Sequence, residues 1–156
     1  MIIIKTEINA PIERVFDLAR SMDFHKKSLR DTGEEIIGGT SIGLIGINET
    51  VTFRGRHFGI RQELTAKITH YDYPNKFTDE MIKGSFKSLK HIHEFTVIDS
   101  KTLMVDKFSY TCPMGLIGKL FDWMILRSYM KNILVNRANE IKNALESSDW
   151  KLYLKN

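Results

Sequence analysis

Hydrophobic positions along the chain change their period twice, and the changes divide it into three parts. The opening run of Ile2, Ile3, Ile4, Thr6 and Ile8 is β-branched and predicts a strand. Asn9-Ala10-Pro11 ends it, with Pro11 suited to the first turn of a helix that Asn9 or Ala10 would cap. Ile12, Val15, Phe16 and Ala19 then recur at helical spacing, and a second short helix is expected over 22–29. Gly33, Gly38, Gly39, Gly43 and Gly46 punctuate a loop-rich stretch, and the last four read as a flexible mouth.

From Asn48 the period becomes two. Val51 and Phe53 alternate with Thr50, Thr52 and Arg54. After a turn near Gly59, Ile60, Gln62, Leu64, Ala66 and Ile68 alternate with polar residues, which predicts a strand with one apolar and one wet face. Tyr73-Pro74-Asn75 reads as a turn, and strands are expected over 77–83, 88–98 and 102–111. Asp99-Ser100-Lys101 is the tight connection between the last two.

Cys112-Pro113-Met114-Gly115 stops the sheet, and a long helix is expected over 116–145. Its predicted core stripe is Leu120, Met124, Ile133, Leu134, Ala138, Ile141 and Leu145. The first turns carry a surplus: Leu116, Ile117, Phe121, Trp123, Ile125 and Leu126 exceed what one face needs. They read as core and cavity wall rather than as a lid meeting a membrane or a partner subunit. The whole order predicts an α+β domain over 1–146, followed by a tail over 147–156. Its curved antiparallel sheet would wrap around a long C-terminal helix, with two short helices after the first strand and a hollow between helix and sheet.

Composition changes this picture little. With 156 residues, 42% hydrophobic and 27% charged, the chain has the make-up of one ordinary globular domain. Net charge is +4, but no run of five basic residues and no nucleic-acid motif accompanies it, so nucleic acid is not an expected partner. The run 116–126 is broken by Gly118, Lys119 and Asp122, which argues against stable membrane insertion. The N-terminus lacks the basic and apolar regions of a signal peptide, and Cys112 has no second cysteine to pair with, so a cytoplasmic location is expected.

Candidate chemistry centres on FKSLKHIHEF, residues 86–95. In a strand, Leu89, His91, His93 and Phe95 share one face. Met104, Asp106, Phe108 and Tyr110 form the matching register of the next strand, with Asp106 opposite His93 or His91. An inward aspartate needs a partner, and histidine suits it. Two readings follow: a mainly apolar pocket with convergent polar groups, Gln62 among them, or an internal hydrogen-bond network that touches no ligand. His25, His57 and His70 read as surface residues. His91 and His93, two apart on a strand, could share a metal with Asp106 as third ligand. But no spacing diagnostic of a metal site, nucleophile elbow, phosphate loop or dinucleotide motif is present, so neither metal nor cofactor is expected.

INAPIERVFD is similar to the common opening of the START/Bet v 1-like superfamily, also labelled SRPBCC or polyketide cyclase/dehydrase, and the element order resembles its helix-grip fold. FRGRHFGIRQELTAKIT, FTDEMIKGSFKSLKHIHEF and TLMVDKFSYTCPMGLIGKLFD resemble one bacterial branch of small stand-alone members. The resemblance implies an apolar cavity but no particular reaction, since relatives include lipid and sterol carriers, hormone receptors, cyclases and chaperone activators. The expected function is therefore binding of a small hydrophobic or amphipathic molecule, as carrier or sensor, with no oligomeric state specified. The expected ligand-binding residues are Gln62, Leu64, His91, His93, Phe95, Met104, Asp106, Phe108, Tyr110, Leu120 and Met124. The alternatives are a cyclase/dehydratase using the His/Asp/Tyr group, with an arginine such as Arg54 assisting, and an interaction module with a vestigial cavity.

Overall fold

Side-chain alternation assembles seven strands into one antiparallel sheet in the computed structural model, which describes residues 1–30 and 33–154. The strands are β1 (Ile2–Ile8), β2 (Glu35–Gly39), β3 (Thr50–His57), β4 (Ile60–Asp72), β5 (Lys76–Lys83), β6 (Ser88–Ile98) and β7 (Lys101–Thr111). Their spatial order is β1-β7-β6-β5-β4-β3-β2. Two helices, α1 (Ile12–Ala19) and α2 (Met22–Arg30), follow β1. The C-terminal helix runs as α3 (Gly115–Phe121), one π-helical turn (Asp122–Leu126) and α4 (Arg127–Glu146). This is the α+β arrangement expected from the sequence, with α4 lying against the sheet.

One turn and one strand pairing set the register that matters for function. Asp99 and Ser100 both have positive φ, 48° and 64°, the backbone of a two-residue hairpin turn whose twist suits the flanking strands. It pairs His93 with Asp106 and His91 with Phe108. β5 then pairs with β6 so that Phe77 faces His93 and Asp79 faces His91. Register shifts in β4 near Ala66 and Ile68 mark bulges, which bend a strand locally.

The core closes around Phe16, which is fully buried on α1. Its ring meets Tyr71, Tyr73, Phe77 and Phe95 edge-on at 5.1–5.3 Å, the geometry that aromatic quadrupoles favour. On α4, Leu134, Ala138, Ile141 and Leu145 form the buried stripe.

The structure corrects four expectations. Pro11 itself is the residue before α1, and no side chain caps the helix; the Asn9 N–H instead donates to Glu146 Oε1 at 2.9 Å. The loop-rich stretch contains strand β2, hidden from a periodicity reading because EIIGG has only two apolar side chains. Gly39 ends it at φ 75°, where a Cβ would lie 2.1 Å from the Thr50 carbonyl oxygen.

The third correction concerns the helix stripe. Leu120 and Met124 are 57% and 61% exposed, while Gly118 and Leu126 are buried. The π-helical turn inserts an extra residue and rotates everything before it by about 100° relative to a continuous α-helix. Extrapolating the α4 stripe backwards therefore misses by one position. The surplus apolar residues Leu116, Ile117 and Trp123 lie outside, not in the core.

The fourth is His25 and His57, which sit against other side chains rather than on open surface; only His70 is exposed. The tail forms a short 3₁₀ turn, Asp149–Leu152, that docks on α1 and α2: the Arg14 guanidinium stacks on Trp150 at 3.9 Å and Tyr153 meets Phe24 edge-on. Lys155 and Asn156, the end of the predicted tail, lie outside the described residues.

Candidate functional site

Alternation along β6 buries Leu89, His91, His93 and Phe95 and turns Lys90 and Thr96 outward. The same parity on β7 buries Met104, Asp106 and Phe108. Asp106 Oδ1 therefore lies between two imidazoles, 3.1 Å from His91 Nε2 and 2.7 Å from His93 Nδ1. A second carboxylate completes the group: Asp79 Oδ1, from β5, is 3.1 Å from His93 Nε2 and 4.0 Å from His91 Nδ1. The two rings are 3.8 Å apart, and Phe77 stacks on His93 at 4.2 Å.

Both nitrogens of His93 face carboxylate oxygens, and only imidazolium can donate from both. Burial alone would lower its pKa, but the hydrogen bonds to Asp106 and Asp79 outweigh it and raise the value above the ordinary one. His91 goes the other way, lowered by burial and by the neighbouring His93 charge despite its contact with Asp106. The carboxyls of Asp79 and Asp106 are held below the usual range, because their histidine partners overcome the cost of burial.

A further cation comes from α4. Arg137 occupies the buried side of that helix, and its own pKa is lowered by burial, with Asp106 and Asp79 opposing. Its Nη1 donates to His25 Nε2 at 3.1 Å and its Nη2 to the Ala19 carbonyl at 3.1 Å. His25, accepting that bond, stays neutral; burial and then Arg137 push its pKa well down. Two carboxylates are thus matched by an imidazolium and a guanidinium, which lets the group persist away from water.

This cluster forms part of the wall of a cavity of about 690 Å³ between the sheet and the C-terminal helix. Asp79, His91, His93, His25 and Arg137 border it on one side. Phe53, Leu64, Ala66, Phe86, Met130 and Leu134 supply the apolar wall. A second polar group lies along it: His57 Nδ1 is 2.8 Å from the Tyr129 hydroxyl and His57 Nε2 is 2.8 Å from Glu34 Oε1.

Of the residues expected from the sequence, Gln62, Leu64, His91, His93 and Phe108 border the cavity. Asp106 sits behind the histidines as their common acceptor. Phe95 and Met104 pack in the core beside Phe16 instead of on the wall. The Tyr110 hydroxyl donates to Asp122, turned away from the histidine cluster, and burial together with that bond raises its pKa. Leu120 and Met124 are outside for the reason given above. Arg54 is engaged by Glu63 and Glu35, at 2.9 and 3.6 Å, and takes no part.

The sequence reading missed Asp79, His25, His57, Tyr129 and Arg137. Two of them carry a signal: Asp79 shares a strand face with Phe77, and Arg137 sits next to Ala138 on the apolar stripe of a helix. Among the described residues, Asp79, His91 and His93 are a set able to hold a metal ion, with one ligand atom each, all within 4.8 Å of one another. The other nitrogens of both histidines rest on Asp106, as metal-bound histidines usually rest on an outer carboxylate. Without a metal, the same carboxylates are met by His93, both of whose ring nitrogens face them, and by the charge of the neighbouring Arg137.

No protein-family model and no curated protein matches the sequence. Solved structures do share its fold. A protein of Thermus thermophilus superposes with a TM-score of 0.67 at 16% identity, covering 92% of this chain and 97% of that one. A protein of Mycobacterium smegmatis gives 0.68 at 16% identity, covering 94% and 90%. The major latex-like protein 151 of Panax ginseng gives 0.65 at 14% identity, covering 92% and 95%. The chain has the helix-grip fold that these structures share. At these identities the likeness extends to the fold, and function rests on the site.

Proposed function

We propose that the protein binds a small hydrophobic or amphipathic molecule in the cavity between its sheet and C-terminal helix. The observation that carries this reading is the cavity itself: about 690 Å³, mostly apolar, with the Asp79–His91–His93–Arg137 cluster on one wall and the His57–Tyr129–Glu34 group further along it. Such a volume is within the usual range of small-molecule sites, roughly 300–1,000 Å³. Apolar burial would supply most of the affinity, at about 25 cal/mol per Å² before ordering costs. The Asp79–His91–His93–Arg137 wall would orient the polar end of the ligand. The same volume counts against an interaction module with a vestigial cavity.

A second reading is favoured by one feature. Neutral His91, held by Asp106 and bordering the cavity, is placed as a general base for an acid–base reaction on the bound molecule. Its test is turnover of any molecule found to bind: His91→Ala would cut the rate by about 10²–10⁴ if His91 were the base.

The binding reading is tested with a fluorescent amphiphile, 8-anilinonaphthalene-1-sulfonate. Leu64 is half-buried on the cavity wall, so Leu64→Trp fills volume a ligand would use. The expected result is saturable binding that weakens by about tenfold or more in Leu64→Trp, consistent with the loss of buried apolar area. Equal binding by the two proteins would remove the cavity from the account.

A further inference from the structure

The apolar surplus of the C-terminal segment raises a physical problem. Leu116, Ile117 and Trp123 are 83%, 72% and 76% exposed, and Leu120 and Met124 lie beside them. Over 114–125 nearly every large apolar side chain is on the outside, and Gly118 rather than a large residue makes the close inward contact. A Cβ at Gly118 would lie 1.9 Å from the Pro113 carbonyl oxygen, which fixes how tightly this helix sits on the preceding turn. Isolated exposed leucines are ordinary, but a contiguous apolar surface of this kind marks an interaction site.

The patch continues across the cavity's edge. Phe58 and Ile60, at the turn between β3 and β4, are exposed, and the Phe58 ring meets Phe121 edge-on at 5.3 Å. Phe58, Ile60, Met114 and Phe121 also border the cavity. The exposed apolar surface and the apolar interior are therefore joined at this end.

Charge identifies the occupant. Three segments border this end of the cavity: 56–61, 83–87 and 112–127. They contain Arg56, Arg61, Lys83, Lys87, Lys119 and Arg127, all exposed, and one acidic residue, Asp122; two neighbouring cavity-lining acids are already paired, Glu34 with His57 and Glu63 with Arg54. That aspartate is already engaged by the Tyr110 hydroxyl. An apolar surface with a tryptophan, rimmed by six cations, complements an anionic lipid bilayer. A second copy of this chain would set the same cations against each other, which disfavours self-association through this face.

We propose that the face formed by α3, the π-helical turn and the β3–β4 turn docks peripherally on anionic membranes, bringing the cavity's end to the lipid surface. Leu116, Ile117, Leu120 and Trp123 would enter the interface while the basic rim meets phosphate headgroups. No helix among the described residues is long and apolar enough to cross a membrane, so the contact is with the surface. The inference stands on the exterior of the protein and does not require that the cavity hold a ligand.

The test is co-sedimentation of the full chain with vesicles of phosphatidylcholine containing about 30 mol% phosphatidylglycerol, beside vesicles of phosphatidylcholine alone. Binding should favour the anionic vesicles and weaken in about 0.5 M NaCl, where screening is strong. The double variant Leu116→Glu/Trp123→Glu should lose binding by about a hundredfold, from lost apolar burial and added repulsion. Because both residues are exposed, its thermal midpoint should match the wild type. Val97→Glu, an exposed apolar position on β6 outside this face, should bind as wild type does. Absence of binding to either vesicle, or unchanged binding by the double variant, would overturn the proposal. So would a wild-type dimer that the double variant turns into monomer without any vesicle binding, which would assign the face to a second copy.

Discussion

Asp106→Asn should destabilise the protein by about 3–5 kcal/mol, the usual cost of removing one partner from a buried ion pair. Asp106 is buried, and one of its oxygens serves both His91 and His93. The amide keeps the shape but removes the charge, leaving His93 with Asp79 alone and placing an NH₂ group near two ring nitrogens. Urea denaturation measures the loss, and its pH dependence identifies the cause.

The carboxyls of Asp79 and Asp106 are depressed in the folded state, so their contribution is complete above about pH 4 and is lost as pH falls through the folded values. His93 is raised, so its contribution is complete below about pH 6.5 and is lost as pH rises through the folded value. Without Asp106, burial dominates at His93 and its pKa falls. The penalty of Asp106→Asn should therefore be larger near pH 6 than near pH 8. A penalty independent of pH across that interval would show that the imidazolium assignment is wrong.

The second large effect lies outside the polar cluster. Phe16→Ala should cost about 3–5 kcal/mol, because Phe16 is fully buried and a cavity would remain. Its consequence reaches the site: Phe16 backs Phe77, whose ring stacks on His93. Phe16→Leu keeps most of the volume and should cost roughly half as much, since shape-preserving exchanges are tolerated better. Thermal or urea unfolding of the two variants measures the difference. If Phe16→Ala unfolded within 1 kcal/mol of wild type (about the scale of a surface substitution), the aromatic cluster would not be the anchor of α1.

Much of this was legible in the chain because β-strand parity is strict. Once 88–98 and 102–111 are strands joined by a tight turn, the period of two puts His91, His93 and Asp106 on one face, and the turn sets their register. What parity cannot supply is the element that closes a site from across the interior. Arg137 and His25 arrive from helices, and nothing local to β6 announces them. Asp79 needed the β5 register, which no short turn fixes.

The C-terminal helix misled for a different reason. A stripe read from Leu134, Ala138 and Ile141 extends backwards only if the helix keeps 3.6 residues per turn, and the Asp122–Leu126 turn does not. The apolar residues before it were legible as a surplus. Their exposure, which the membrane inference rests on, followed from a backbone irregularity that the hydrophobic pattern conceals.

The binding proposal puts an apolar ligand in the interior rather than on the exposed face. Methyl-resolved NMR of the wild-type protein titrated with 8-anilinonaphthalene-1-sulfonate tests it most directly, because the two surfaces have separate methyl groups. Occupation of the cavity predicts shifts and ligand contacts at Leu64, Ala66, Met130 and Leu134, saturating together at one ligand per chain. Shifts confined to Leu116, Ile117, Leu120 and Met124, with the interior methyls unmoved, would contradict it.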